Sequence, residues 1–151
     1  MDAVTYPDAS VTELINGHFI PLKLHVGEDA KLAERFEVTW TPTIIVAEAD
    51  GTIHHRFTGF LPPDEYRAQI WFGMAKTDFD KGNYLEASTK FKAVVAQYPD
   101  CACAPEAQYW LGVSEFKHTG SADALRAAWQ ELLKKYPDSV WATKVSFIKE
   151  K

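Results

Sequence analysis

The triplet Tyr-Pro-Asp occurs twice, at 98–100 and 136–138, and this interval of 38 positions constrains the fold more than any other feature. Phe91 and Trp129 are separated by the same interval, as are Ala104 and Ala142. Further upstream the match runs at 37, pairing Phe72 with Tyr109, Met74 with Leu111, Ala75 with Gly112 and Phe79 with Phe116. One residue has therefore been gained in the second turn between helices. A period of this length, made of paired helices, specifies stacked units that each bury a face on the next. The breaks at Lys81-Gly82-Asn83, Tyr98-Pro99-Asp100, His118-Thr119-Gly120 and Tyr136-Pro137-Asp138 predict helices over 63–81, 84–98, 104–118, 121–136 and 139–149. Pro63, Asp64 and Glu65 suit the first turn of the first one, where a missing N–H costs nothing and carboxylates meet the positive end of the helix dipole. The last helix is half a unit and covers the apolar end of the stack.

The residues before Pro62 have a different grammar. Asp8 or Ser10 caps a short helix over 9–16, in which Val11, Leu14 and Ile15 share a face and Gly17 supplies the stop. Over Phe19–Val26, Ile20, Leu22, Leu24 and Val26 alternate with Phe19, Pro21, Lys23 and His25, which predicts a strand with one buried face. Pro21 places that strand at a sheet edge. A second short helix is expected over 29–36, with Ala30, Leu32, Ala33 and Phe36 turned inward. Then Thr43–Ala47, the Asp50-Gly51 turn and Thr52–Phe57 form a hairpin. The division that follows is 1–61 for an α/β unit and 62–151 for about two and a half helical repeats. No Gly/Ser-rich linker separates them, and the Tyr66, Ile70 and Met74 side of the helix from Pro63 to Lys81 is expected against the sheet.

Composition narrows the function classes. A formal charge of −5 argues against nucleic-acid binding, which needs a basic face to meet phosphates. No apolar run reaches the length of about 18–20 residues that crosses a bilayer, so no membrane insertion is expected. The N-terminus lacks the basic and apolar regions of a signal peptide, and the expected location is cytoplasmic.

The helical half resembles tetratricopeptide repeats. Small residues (Ala75, Ala87, Gly112) sit where paired helices approach, and Phe91 or Trp129 followed by Tyr-Pro-Asp closes each unit. Ala104–Gly112 and Tyr136–Ala142 are similar to the variant found in bacterial envelope-coordination proteins. The first half resembles the thioredoxin family downstream of its active site: helix, strand, helix, Val38-Thr39-Trp40-Thr41-Pro42-Thr43, strand, Asp50-Gly51, strand, Gly59 and helix arrive in that family's order over 9–75. The fold class implied is α/β plus all-α, an incomplete thioredoxin-like sheet followed by a tetratricopeptide-like array of helical hairpins. The resemblance also implies a cis bond before Pro42, and a backbone at Thr41 that pairs with a peptide. It implies that the family's Cys-x-x-Cys and its central strand precede Met1, which resembles an internal methionine. Without that strand, either Phe19–Val26 pairs directly with Thr43–Ala47, or strand edges stay open to a partner.

Several side chains are candidates for chemistry. Cys101 and Cys103 are the only thiols. In the repeat register Cys101 matches Ser139, a cap-like residue, and Cys103 matches Trp141, an apolar knob, so a packing role is expected; redox exchange is the alternative. Neighbouring residues of a strand face opposite ways, so His54 and His55 are not expected to hold a metal together, and no metal or other cofactor is expected. Asp78 and Asp80 are read as a solvated surface. Trp71, Tyr84, Phe91, Trp129 and Tyr136 fall at packing positions. Phe72, Lys76, Phe79, Tyr109, Val113, Phe116 and Lys117 fall at positions that line the groove in proteins of the tetratricopeptide type, with Asp80 beside them. Together with Thr41 and Pro42 they are the expected peptide-binding residues.

The function expected is therefore non-catalytic protein binding, through the groove, the open sheet edge or both, with a protein or peptide partner or a second copy of the chain. The alternative is a thioredoxin-like thiol–disulfide oxidoreductase, active in cell redox homeostasis, whose Cys-x-x-Cys lies outside this sequence.

Overall fold

The computed structural model describes residues 1–149; the last two residues of the expected 62–151 unit lie outside them. Proline at the first turn and Asp64 and Glu65 behind it start the helix on which the molecule is built, α3 (Pro63–Asp80). Before it come α1 (Ala9–His18), α2 (Ala30–Arg35), β1 (Thr43–Ala47) and β2 (Ile53–Thr58). After it come α4 (Tyr84–Gln97), α5 (Ala104–Thr119), α6 (Ala122–Lys135) and α7 (Val140–Lys144), with a final 3₁₀ turn over Ser146–Lys149. The sheet is an antiparallel pair, β1 on β2, with Thr43 opposite Thr58 and Ile45 opposite Arg56.

The repeat read from spacing is a repeat in space. Tyr98 and Tyr136 close α4 and α6 with the same backbone angles, φ −131° and ψ 53°. Each donates its N–H over 2.9 Å to the carbonyl four residues back, Val94 and Leu132. Phe91 is fully buried between α3 and its partners, with its ring 5.4 Å from that of Phe72. Gly112 lets α6 approach, since a Cβ there would stand 2.9 Å from that of Ala128. The odd-numbered helices close ranks, α3 on α5 and α5 on α7, whereas the backbones of α4 and α6 stand apart, with a cleft lined by Val95, Ala96, Ala124 and Ala127 between them. The array therefore curves, with α3, α5 and α7 on its inner side.

One face of α3 belongs to these repeats and another to the sheet. Ala68, Phe72 and Ala75 are buried with α4 and α5. Tyr66 and Ile70 are buried with Val11, Leu14 and Val46, and Met74 packs against the same cluster. Gly73 lies directly under the hairpin. The sheet thus seals the first end of the helical stack, as the reading of Tyr66, Ile70 and Met74 expects.

Four local expectations are corrected. Residues 19–25 form no strand; Ile20 is 98% exposed, and the stretch does not pair with β1. A ladder needs a neighbour with free N–H and C=O groups, and β2 takes one edge of β1 while nothing among the described residues bridges to the other. For the same lack of a sheet to pack on, α2 buries no residue. Gly17 does not stop α1, which runs to His18 with Asp8 as its cap. The hairpin has a longer connection than Asp50-Gly51 alone: Glu48 and Thr52 pair across it, and a bulge falls between Val46 and Ala47. Asp50 accepts from the Thr52 N–H at 2.8 Å, and Gly51 takes φ +92°, which an L side chain rarely adopts.

Candidate functional site

The inner side of the array, where the resemblance expects a groove, is aromatic. Phe79 of α3 meets Trp110 of α5 with ring centroids 5.0 Å apart. Trp110 meets Tyr109 at 5.5 Å, and Tyr109 meets Trp141 of α7 at 5.0 Å. Trp129 of α6 stacks beneath Tyr109 at 5.2 Å and donates its indole N–H to the Tyr109 carbonyl. A continuous stripe of half-buried rings therefore crosses three helices. Edge-to-face and stacked pairs of this kind add about 0.5–1.5 kcal/mol each beyond area burial, so the stripe is stiff.

Charges are set on this floor. The Lys76 ammonium stands 4.2 Å above the Trp110 ring and 5.0 Å from that of Phe79. Lys144 stands 3.7 Å above Trp141. Glu106, one turn before Trp110, accepts the Trp110 indole N–H at 3.1 Å. Burial raises its carboxyl above the ordinary 4.5, while Trp110, Lys76 and Lys144 pull the other way. Lysines on α3 and α7 thus act on one acid of α5. Glu106, Trp110, Val113 and Lys117 follow at i, i+4, i+7 and i+11, which puts all four on one stripe of α5 facing the groove.

The expected groove residues divide accordingly. Lys76, Phe79 and Tyr109 are at or in the stripe, and Val113 and Lys117 share the face of Trp110. Phe116 follows Tyr109 by two turns and is 37% exposed. Phe72 does not line the groove. It is 2% exposed and packs against His55, at 4.9 Å, and Phe91. The 37-residue match to Tyr109 placed it inside, but in the first repeat the hairpin occupies that side of the helix. Glu106, Trp110, Trp141 and Lys144 touch the aromatic stripe although the sequence reading does not name them as binding residues; the spacing of Glu106, Trp110, Val113 and Lys117 is the signal for the first two.

Thr41 and Pro42 form a second patch. The Thr41–Pro42 bond is cis, as the resemblance implied. Pro42 offers its carbonyl to Gly59 at 2.8 Å, and the neighbouring Trp40 is 70% exposed. Since Thr43 pairs with Thr58, this patch lies beside the start of α3, whereas Lys76 is 13 residues, about 20 Å, further along the axis. Fold and sequence do not bring the two sets together.

Asp78 and Asp80 are not a bare solvated surface. Asp78 pairs with Lys90 of α4. Asp80 takes Lys76 at 3.3 Å and the Nδ1 of His54 at 2.9 Å. His54 is 5% exposed, and its Nε2 has no hydrogen-bond partner among the described residues, with Glu48 4.0 Å away. Lys81 holds Glu48 at 2.7 Å, so this network fastens the hairpin to the last turn of α3. His55 reaches Gln69 instead, and among the described residues no cluster of three metal-ligating side chains occurs.

The thiols are poor nucleophiles. Burial, then Glu65, pushes Cys101 up to about 11, and burial pushes Cys103 up to about 12. Redox exchange needs a thiolate. Cys103 is buried in the repeat core, the packing role its register suggests. Cys101 caps nothing with its side chain; the Glu65 carboxylate takes the Ala102 N–H instead.

A thioredoxin-like domain model matches residues 1–72, and a tetratricopeptide repeat model matches residues 106–139. The chain carries an N-terminal thioredoxin-like domain, 1–72, fused to a C-terminal tetratricopeptide domain, 106–139. The matched repeat is the α5–α6 pair with the turn after it, and α3–α4 stands one period before it in sequence and in space. No curated protein and no solved structure matches the chain. The thioredoxin-like domain here has a two-stranded, open sheet, and the sequence has no Cys-x-x-Cys. No helix among the described residues is long and apolar enough to cross a membrane.

Proposed function

We propose that this thioredoxin-like/tetratricopeptide fusion is a non-catalytic protein-binding module that holds a peptide segment in the inner groove. The observation that carries the reading is the stripe Phe79–Trp110–Tyr109–Trp141, half-buried and continuous across α3, α5 and α7. Aromatic side chains on a stiff floor are the kind of surface that concentrates binding energy. Lys76, Val113, Phe116 and Lys117 complete the contact surface, with the boundary between the two units at 61/62 and α3 shared. Cys101 and Cys103 are free thiols, which suits a reducing compartment such as the cytoplasm.

Selection from a displayed random-peptide library tests this. Peptides that enrich on the chain are expected to lose binding to Val113→Asp and to Lys117→Glu, both on the groove face, while the circular dichroism of each variant stays that of the wild type. Equal binding to both variants would place the contact elsewhere.

A second contact is supported by β1, whose uncharged Thr-Ile-Ile-Val-Ala run has one edge unpaired among the described residues. A second copy, lying antiparallel there, would give a four-stranded sheet across a two-fold axis, with Thr41 and Pro42 at its rim. Sedimentation should then show a dimer that Ile45→Pro dissolves; a monomer at high protein concentration contradicts it.

A further inference from the structure

We propose that the inner groove selects extended peptides by their side-chain carboxylates, two acids flanking an apolar residue; this rests on the groove being the binding site. The molecule as a whole carries −5, so an acidic ligand is repelled by most of its surface. The groove has the opposite balance, three lysines to two acids, one of which, Asp80, already pairs with Lys76 at 3.3 Å. Lys76, Lys117 and Lys144 come to it from α3, α5 and α7. The acid among them, Glu106, is half-buried, and burial favours its neutral form. Asp80 at the edge is engaged with His54 as well as Lys76.

Two of the three ammoniums are already placed. Lys76 rests on the Trp110 ring and Lys144 on the Trp141 ring. A cation on an aromatic face has given up side-chain freedom and part of its water, so a carboxylate arriving there meets a positioned charge at reduced ordering cost. Packed helices stand about 8–10 Å apart, and α5 lies between the helices that carry these lysines, so their span corresponds to about five residues of extended chain at roughly 3.3 Å each. An apolar residue midway then lies over Trp110 and Tyr109. The recognised groups are side-chain carboxylates, so a peptide with both ends blocked is a sufficient ligand.

The probe is a fluorescent, acetylated and amidated Gly-Asp-Ala-Leu-Phe-Ala-Asp-Gly peptide, compared by anisotropy with the analogues carrying Asn or Lys in place of both Asp. The Asp peptide is expected to bind at least about tenfold more tightly than the Asn peptide, with affinity falling as salt rises. Lys76→Gln with Lys144→Gln should remove that preference, and Lys92→Gln with Lys135→Gln, on the outer face, should keep it. Glu106→Gln should bind at least as well as the wild type. Equal binding of the Asn peptide, tighter binding of the Lys peptide, or no binding of the Asp peptide overturns the proposal. If library-selected peptides bind at Val113 and Lys117 but are not acidic, the groove reading stands and only the acidic preference fails.

Discussion

Two glycines in helices have opposite roles, and the surrounding atoms decide which. A Cβ on Gly73 would stand 2.8 Å from the Val46 Cγ2 and 3.2 Å from the Cβ atoms of Val46 and His55. Alanine there gains about 1 kcal/mol of helix propensity but overpacks against atoms fixed by the hairpin, at a cost of about 1–3 kcal/mol. Gly73→Ala is therefore expected to lose about 1 kcal/mol net in urea unfolding. Gly17 in α1 has nothing within 4 Å, so Gly17→Ala should gain roughly 0.5–1 kcal/mol in the same measurement. Glu106 makes stability depend on pH. Its carboxyl is raised, mainly by burial, so the folded chain keeps that proton to higher pH than the unfolded chain. Proton binding is then greater in the folded state, and stability falls as pH rises from the ordinary 4.5 through the raised value. Glu106→Gln removes this penalty. Its melting temperature should draw ahead of the wild type as pH rises above the ordinary 4.5 and hold its lead once the carboxyl has ionised; a difference that stays constant with pH would contradict the burial of the charge.

Elements that make their own contacts were legible in the sequence, and elements that need a neighbour were not. The helices of the repeats announce themselves because each buries a face on the next one along the chain, so the 37- and 38-residue intervals carry both their existence and their partners. The hairpin was legible for the same local reason. The stretch Phe19–Val26 has the alternation of a strand, but alternation describes a side-chain pattern and says nothing of who supplies the ladder. In the fold it forms no strand, and Ile20 and Leu22 lie in solvent. Ile20→Ser with Leu22→Ser should accordingly change unfolding free energy by no more than about 0.5 kcal/mol per site. A loss of about 2 kcal/mol or more would mean that these side chains are buried. The groove was half legible. The resemblance to tetratricopeptide repeats points to Lys76, Phe79, Tyr109, Val113 and Lys117, and the structure puts Lys76, Phe79 and Tyr109 at the aromatic stripe, whereas Phe72 is buried, because the repeat pattern cannot report that a sheet packs on the first helix. Trp141 was read as a knob, and its meeting with Tyr109 across two helices has no short-range signature.

At the scale of the molecule, α3 is the element that both halves need. Its Ala68 and Ala75 side closes on α4, its Tyr66, Ile70 and Gly73 side carries the sheet, and Phe72 lies where the two meet, against His55 and Phe91, so the thioredoxin-like domain works as the cap of a short helical array. Capping matters in a solenoid because a terminal repeat otherwise leaves an apolar face in water. The most direct test of the groove is a two-dimensional ¹⁵N–¹H titration of the tryptophan indoles with a library-selected peptide. The indole signals of Trp110 and Trp141 should move saturably, and that of Trp40, beside Pro42, should stay still. Movement of Trp40 alone, with Trp110 and Trp141 unchanged, would contradict binding in the groove.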